Sequence, residues 1–135
     1  MTETTTIDSN ILRNIEYFIG LSHEEIESLK KYLSPKSVQK GEMFVLEGDR
    51  IDSLYFVISG IVKVYKISAD GKQQIINIAT SGESLNDVST FDQGTNAASM
   101  LAMTHALLYG IKKSDLSTII IKYPIVSLNA LKVLA

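Results

Sequence analysis

The side chains best suited to hold a ligand crowd into one glycine-bounded stretch, Gly82 to Ala98. It carries Glu83, Ser84, Asn86, Asp87, Ser89, Thr90, Asp92 and Asn96. A loop that cradles a phosphate needs backbone N–H groups and an Arg to fork two hydrogen bonds onto the anion. This stretch offers three acids, and the sequence has no Lys or Arg between Lys72 and Lys112. It has the form of a binding loop without the cation that an anionic ligand requires. Lys63 and Lys66, on a strand earlier in the chain, would restore that charge if the strand folds toward the loop. His23 and His105 stand alone, each without a partner ligand at metal-site or haem spacing. They cannot supply the His and Glu cluster of a cupin-type metalloenzyme, nor a Ser-His-Asp arrangement. With no Cys in the sequence, disulfides, thiolate zinc sites and Cys-ligated iron–sulfur clusters are excluded within this chain. The expectation is a protein that binds rather than catalyses, with no metal ligands and no cofactor assigned.

The 135 residues form one domain, with 45% hydrophobic and 21% charged residues, ordinary values for a globular core. A net charge of -2 gives no electrostatic footprint for nucleic acid over this stretch. Residues 1-10 are polar and Thr-rich, with no signal-peptide core, and no apolar run reaches membrane-span length. A cytoplasmic protein with no membrane contact is expected. Asp8, Ser9 or Asn10 can cap a first helix with Ile11, Ile15 and Phe18 on one stripe, ended by Gly20. Ser22-His23-Glu24-Glu25 is a capping box opening a helix that buries Ile26, Leu29 and Leu33 and stops at Pro35.

From Ser37 the period changes. Runs rich in Val, Ile, Phe and Tyr alternate with Gly, and 43–46, 54–59, 61–68, 73–79, 97–103 and 106–112 are predicted strands. Asp70-Gly71 is predicted to form a primed hairpin turn. Gly41, Gly48, Gly60 and Gly71 are assigned to turns. Evenly spaced short strands imply a sandwich, jelly roll or small barrel. Helical spacing returns at Ser114, a candidate N-cap, through Leu116, Ile119, Ile120 and Tyr123. Pro124 breaks it, and a last helix from Ile125 places Leu128, Leu131 and Ala135 on one stripe. An apolar stripe still running at Ala135 predicts continuation of the chain or packing on a partner.

The framework Lys40-Gly41-Glu42-x-Phe44-x-x-x-Gly48-Asp49-x-x-x-x-Leu54-Tyr55-Phe56-Val57-x-x-Gly60-x-Val62 resembles the cyclic-nucleotide-binding domain. From about Ile11 to Ala135 the chain resembles the sensor half of CRP/FNR-type bacterial transcription regulators. The resemblance implies a mainly β fold with flanking helices, a double-stranded β-helix or jelly roll. It divides the chain into a flexible tail at 1-10, a sensor domain at 11-124 and the start of a dimerisation helix at 125-135. Ile125, Leu128 and Leu131 would pair two subunits. A DNA-binding helix-turn-helix would follow beyond residue 135. A regulatory module of another signalling protein, such as a kinase or channel, is the alternative within the same fold.

In cyclic-AMP-binding members a Phe-Gly-Glu-Leu segment, a loop and Arg-Ser-Ala form the phosphate cassette. The Glu takes the ribose hydroxyl, the Arg pairs with the phosphate and the Ser assists. The first segment falls on Leu85-Asn86-Asp87-Val88 and the last on Asn96-Ala97-Ala98. Gly is replaced by Asn86, Glu by the shorter Asp87, Arg by Asn96 and Ser by Ala97. Phe91 stands where the family has an apolar loop anchor. A charge-assisted hydrogen bond contributes about 1.5–3 kcal/mol, so the change at Asn96 disfavours cyclic nucleotide binding in the usual mode. Glu83, Ser84, Leu85, Asn86, Asp87, Asn96, Ala97 and Ala98 are the candidate pocket for a different small-molecule effector. The competing reading is that the Asx residues only cap the short helix and turn.

Overall fold

A computed structural model describes residues 6–92 and 94–135. The Asp8 carboxylate accepts the N–H groups of Asn10 and Ile11 at the start of α1 (Ser9–Arg13). The Asp8 N–H in turn donates to the Tyr109 hydroxyl at 3.1 Å. The chain is therefore anchored from Asp8 onward, and the tail boundary expected at residue 10 falls inside α1. The stripe through Ile11, Ile15 and Phe18 is not one helix. Ile15 is extended, and a 3-10 turn, Glu16–Phe18, follows it. Leu12, Ile15, Tyr17 and Phe18 are buried all the same.

The capping box forms as expected, with Ser22 and Glu25 exchanging side-chain-to-backbone hydrogen bonds ahead of α2 (His23–Leu29). The helix is shorter than its apolar spacing suggests. A 3-10 turn (Lys30–Tyr32) leads into strand β1 (Leu33–Val38), so Leu33 and Pro35 lie on a strand. Pro35 is tolerated there because β1 is an edge strand, paired on one side only.

The remaining strands are β2 (Met43–Val45), β3 (Ser53–Ser59), β4 (Val62–Ile67), β5 (Gln73–Ala79), β6 (Ser84–Leu85), β7 (Ser99–Ala102) and β8 (Ala106–Lys112). They form two four-stranded sheets, β1-β8-β3-β6 and β2-β7-β4-β5, with antiparallel pairing throughout. This is the expected jelly roll. Strand β3 explains its own unbroken apolar run. Leu54 and Phe56 face the helices together with Tyr109 and Ile111 of β8. Tyr55 and Val57 face the space between the sheets with Val64, Leu85, Met100 and Leu108. The β3–β4 connection needs Gly60. Its φ is +94°, and a Cβ there would stand 2.5 Å from the His105 carbonyl oxygen.

The β4–β5 turn differs from the primed form expected at Asp70-Gly71. The Gly71 N–H donates to the Ser68 carbonyl, the Ser68 N–H donates to the Lys72 carbonyl, and only Gly71 has positive φ. This is a three-residue connection, a type I turn closed by a left-handed glycine.

At the C-terminal side, α4 (Lys113–Lys122) begins after Lys112 without a side-chain cap, which places Ser114 inside the first turn. After Tyr123, α5 (Pro124–Leu134) turns back with Pro124 at its first position. It buries Val126, Asn129 and Ala130. Ile125 is half-buried over Gly20, whose missing Cβ leaves room for it. The open apolar face is therefore formed by Leu128, Leu131 and Leu134, which are 60%, 66% and 40% exposed. Among the described residues no single helix is long and apolar enough to cross a membrane.

Candidate functional site

The cassette hangs from β3. Strand β6 pairs with it through Tyr55↔Leu85 and Phe56↔Ser84. Asn86 then takes a left-handed conformation, φ +73°, and α3 (Asp87–Asp92) follows. Asn is among the few side chains that tolerate this backbone without glycine's freedom. Its amide donates to the Ser53 carbonyl and to Asn96 Oδ1, both at 3.1 Å. The Asn96 amide donates onward to the Leu46 carbonyl at 3.0 Å. Thr90 returns its N–H and hydroxyl to the Asn86 carbonyl. Asn86 and Asn96 thus stitch the cassette to β3 and to the segment after β2. Asn96 is 6% exposed and points away from the main cavity.

Asp87 is equally engaged. Its Oδ2 accepts the hydroxyl protons of Tyr17 and Ser84, each at 2.5 Å. Burial of the phenol, and next the Asp87 carboxylate beside it, push Tyr17 far above the ordinary phenol value. Tyr17 is fixed by aromatic neighbours, edge-on to Phe56 and stacked on Phe91. On its backbone side the Tyr17 carbonyl, like that of Ile19, accepts from the Asn129 amide of α5, at 3.0 and 2.8 Å. One residue thereby touches the cassette with its side chain and α5 with its main chain.

The main cavity, about 460 Å³, opens between the cassette and the β4–β5 pair. Six of the candidate residues line it: Ser84, Leu85, Asn86, Asp87, Ala97 and Ala98. Asn96 lines a separate cavity of about 200 Å³ on the far side of the cassette, together with Lys36, Arg50 and Tyr55. Glu83 is exposed, and its carboxylate accepts the Thr80 N–H and hydroxyl. Its place is against a third cavity, of about 190 Å³, with Tyr17 and Val133.

The opposite wall comes from residues distant in sequence. Val64 and Lys66 enter from β4, Met100 from β7, and Ile76 with Asn77 from β5. Two consecutive β5 residues share the cavity because the ladder slips there. Val64 pairs with Asn77 and Tyr65 with Ile75, leaving Ile76 as an extra, bulged residue. Simple alternation along Gln73–Ala79 does not announce this. Lys66 could be found from its spacing of two from Val64, and it brings the cation that the cassette lacks. Lys63 points elsewhere. It donates to Gln73 and lies over the Tyr65 ring. The histidines stay apart, His23 accepting from Arg13 and His105 paired with Ser37. Among the described residues no group of His, Cys, Asp or Glu is placed to hold a metal.

The cyclic nucleotide-binding domain family matches residues 35–123. The chain is 30% identical over 125 residues to the CRP-like cAMP-activated global transcriptional regulator of Mycobacterium tuberculosis, covering 93% of this chain and 56% of that protein. It is 27% identical over 118 residues to the cyclic AMP receptor protein of Thermus thermophilus, covering 87% and 55%. The chain thus spans just over half the length of these relatives. Its fold superposes on the Thermus thermophilus catabolite activator protein with a TM-score of 0.81, at 26% identity, over 88% of this chain and 56% of that one. The sensor domain of the regulator DNR from Pseudomonas aeruginosa matches with a TM-score of 0.83 over 93% and 85%; at 20% identity this is a likeness of fold alone. The jelly roll and these relatives agree, and the chain belongs to the cyclic nucleotide-binding domain family, as a sensor domain of the CRP/FNR type.

Proposed function

We propose that this chain senses a small-molecule effector for a DNA-binding regulator, and that it does not take cyclic AMP in the usual mode. The observation carrying the second part is the state of the cassette. Asn96 is uncharged, buried and bonded to Leu46 and Asn86. Ala97 has no hydroxyl, and the Asp87 oxygen Oδ2 already accepts from Tyr17 and Ser84. A cyclic phosphate seated on the cassette wall would meet no Arg there and a carboxylate of its own sign, with Lys66 on the opposite wall.

Effector binding would act as a population shift, favouring one packing of the cassette over another. Tyr17 supports a direct route for it, since movement of Asp87 pulls on the residue whose carbonyl holds Asn129 of α5. Leu128 and Leu131 are assigned to a homodimer contact through α5. DNA contact is assigned to a domain outside this sequence. No catalytic role, metal or resident cofactor is assigned, and the location is cytoplasmic. Calorimetry of the purified chain with cyclic AMP and cyclic GMP tests the reading. No binding is expected at micromolar concentrations, and a micromolar dissociation constant for either would sink it.

A further inference from the structure

The main cavity has a chemistry of its own. Its body is apolar, walled by Val64, Ile76, Leu85, Val88, Ala98 and Met100. Its polar groups divide by wall. On the cassette wall, Asp87 is held by two donors, the Asn86 amide is spent on Ser53 and Asn96, and the Ser89 hydroxyl accepts the Ala97 N–H. On the β4–β5 wall, Lys66 and Asn77 both line the cavity, and neither side chain has a hydrogen-bond or ion-pair partner among the described residues. Asn77 is there because it pairs with Val64 across the ladder, and the bulge adds Ile76 beside it.

Resting on the effector reading above, we infer that this cavity takes a small amphipathic monoanion, a carboxylate with an apolar body, whose charge sits at Lys66 and Asn77. An apolar ligand body replaces water along the walls, the dominant gain in such pockets. A carboxylate answers the free ammonium and the free amide donor on one side. Asp87 argues against a dianion. A phosphate monoester would bring two negative charges to a cavity with one cation and one carboxylate, and a single Lys offers a point charge rather than a fork. Asp87 Oδ1 remains open to a hydroxyl or amine on the ligand's far end. The anion therefore lies on the wall opposite the one where the family's cassette holds its phosphate.

Nitrogen-15 NMR titration of the chain with phenylacetate and octanoate, against phenylacetamide, octanamide and phenethylamine, tests this. The carboxylates are expected to move the amides of Lys66, Ile76, Asn77, Val88 and Ala97. They should bind about tenfold more tightly than their amides, the scale of one charge-assisted bond. Lys66→Gln should erase that difference. Lys66 is exposed, so the variant is expected to stay folded. Val88→Asp, at a position 67% exposed, should weaken the carboxylates and leave phenethylamine unharmed. Equal binding of amides or amine at these same amides would overturn the ligand class while leaving the cavity as the effector site. Carboxylate shifts absent from these amides would overturn the inference outright. Micromolar cyclic AMP binding would instead overturn the effector reading beneath it.

Discussion

Replacing Tyr17 by Phe removes one oxygen and leaves the ring contacts with Phe56 and Phe91 in place. The lost group donates to a carboxylate, a bond of about 1.5–3 kcal/mol in such settings. Ser84 still donates to Asp87 Oδ2, so the carboxylate is not orphaned and the cost falls near the lower end, about 1.5 kcal/mol. At this chain length that corresponds to a fall in Tm of roughly 4–7 °C. Urea titration should show a lower midpoint with an unchanged slope. A pH series adds a second reading. Tyr17 is pushed above the ordinary value of 10.0 by burial and then by Asp87. The folded chain keeps a proton that the unfolded chain releases. This contribution is complete below pH 10.0 and is lost as pH rises beyond it. The gap between wild type and Tyr17→Phe should therefore narrow above that pH. Tyr55, also raised mainly by burial, is present in both proteins and cancels in the difference. A gap under about 0.5 kcal/mol at neutral pH, the scale of an inert surface change, with parallel curves into the alkaline range, would refute the reasoning.

Other substitutions address separate features. Asn129→Ala leaves the Tyr17 and Ile19 carbonyls without their donor and should cost about 1–3 kcal/mol in urea unfolding. Asn96→Ala should cost less, about 1 kcal/mol, because the Leu46 carbonyl keeps the Asp49 N–H and the Asn86 amide keeps the Ser53 carbonyl; a neutral result in the same assay would mean that the Asn–Asn stitch contributes nothing. Gly60→Ala should lose more than about 3 kcal/mol through positive φ and backbone collision, whereas Gly71→Ala, with open space around it, should lose on the order of 1 kcal/mol. The pair Leu128→Glu and Leu131→Glu should unfold within about 0.5 kcal/mol of wild type and abolish any dimer seen by native mass spectrometry; a dimer that survives both changes removes α5 as its seam.

The glycine framework was readable in the sequence because each turn needs a backbone that few side chains allow. Gly41, Gly48, Gly60 and Gly71 all have positive φ. The capping box at Ser22 was readable because its two hydrogen bonds are local. Strand β1 was hidden because Leu33 continues the apolar spacing of α2, and only pairing with β8 decides in favour of a strand. Strand β6 is two residues long, too short to show any period. At the site, both the asparagine substitutions and the missing cation were visible, but their geometry was not. Asn96 turns toward Leu46, and Lys66 arrives across the cavity from β4. Tyr17 gave no sign at all, since its link to Asp87 spans 70 positions.

The bulge at Ile76 also bears on the solubility of the whole protein. Strand β5 is an edge strand with Ile75, Ile76 and Ile78 at 57%, 52% and 40% exposure. A flat edge of that composition is a template on which another chain can zip by backbone pairing. The extra residue breaks the spacing of the free N–H and C=O groups midway along the edge, so a regular strand cannot stay in register across it. Deleting Ile76 would straighten the edge, and the expected cost is aggregation during expression, apart from any change in what the cavity holds.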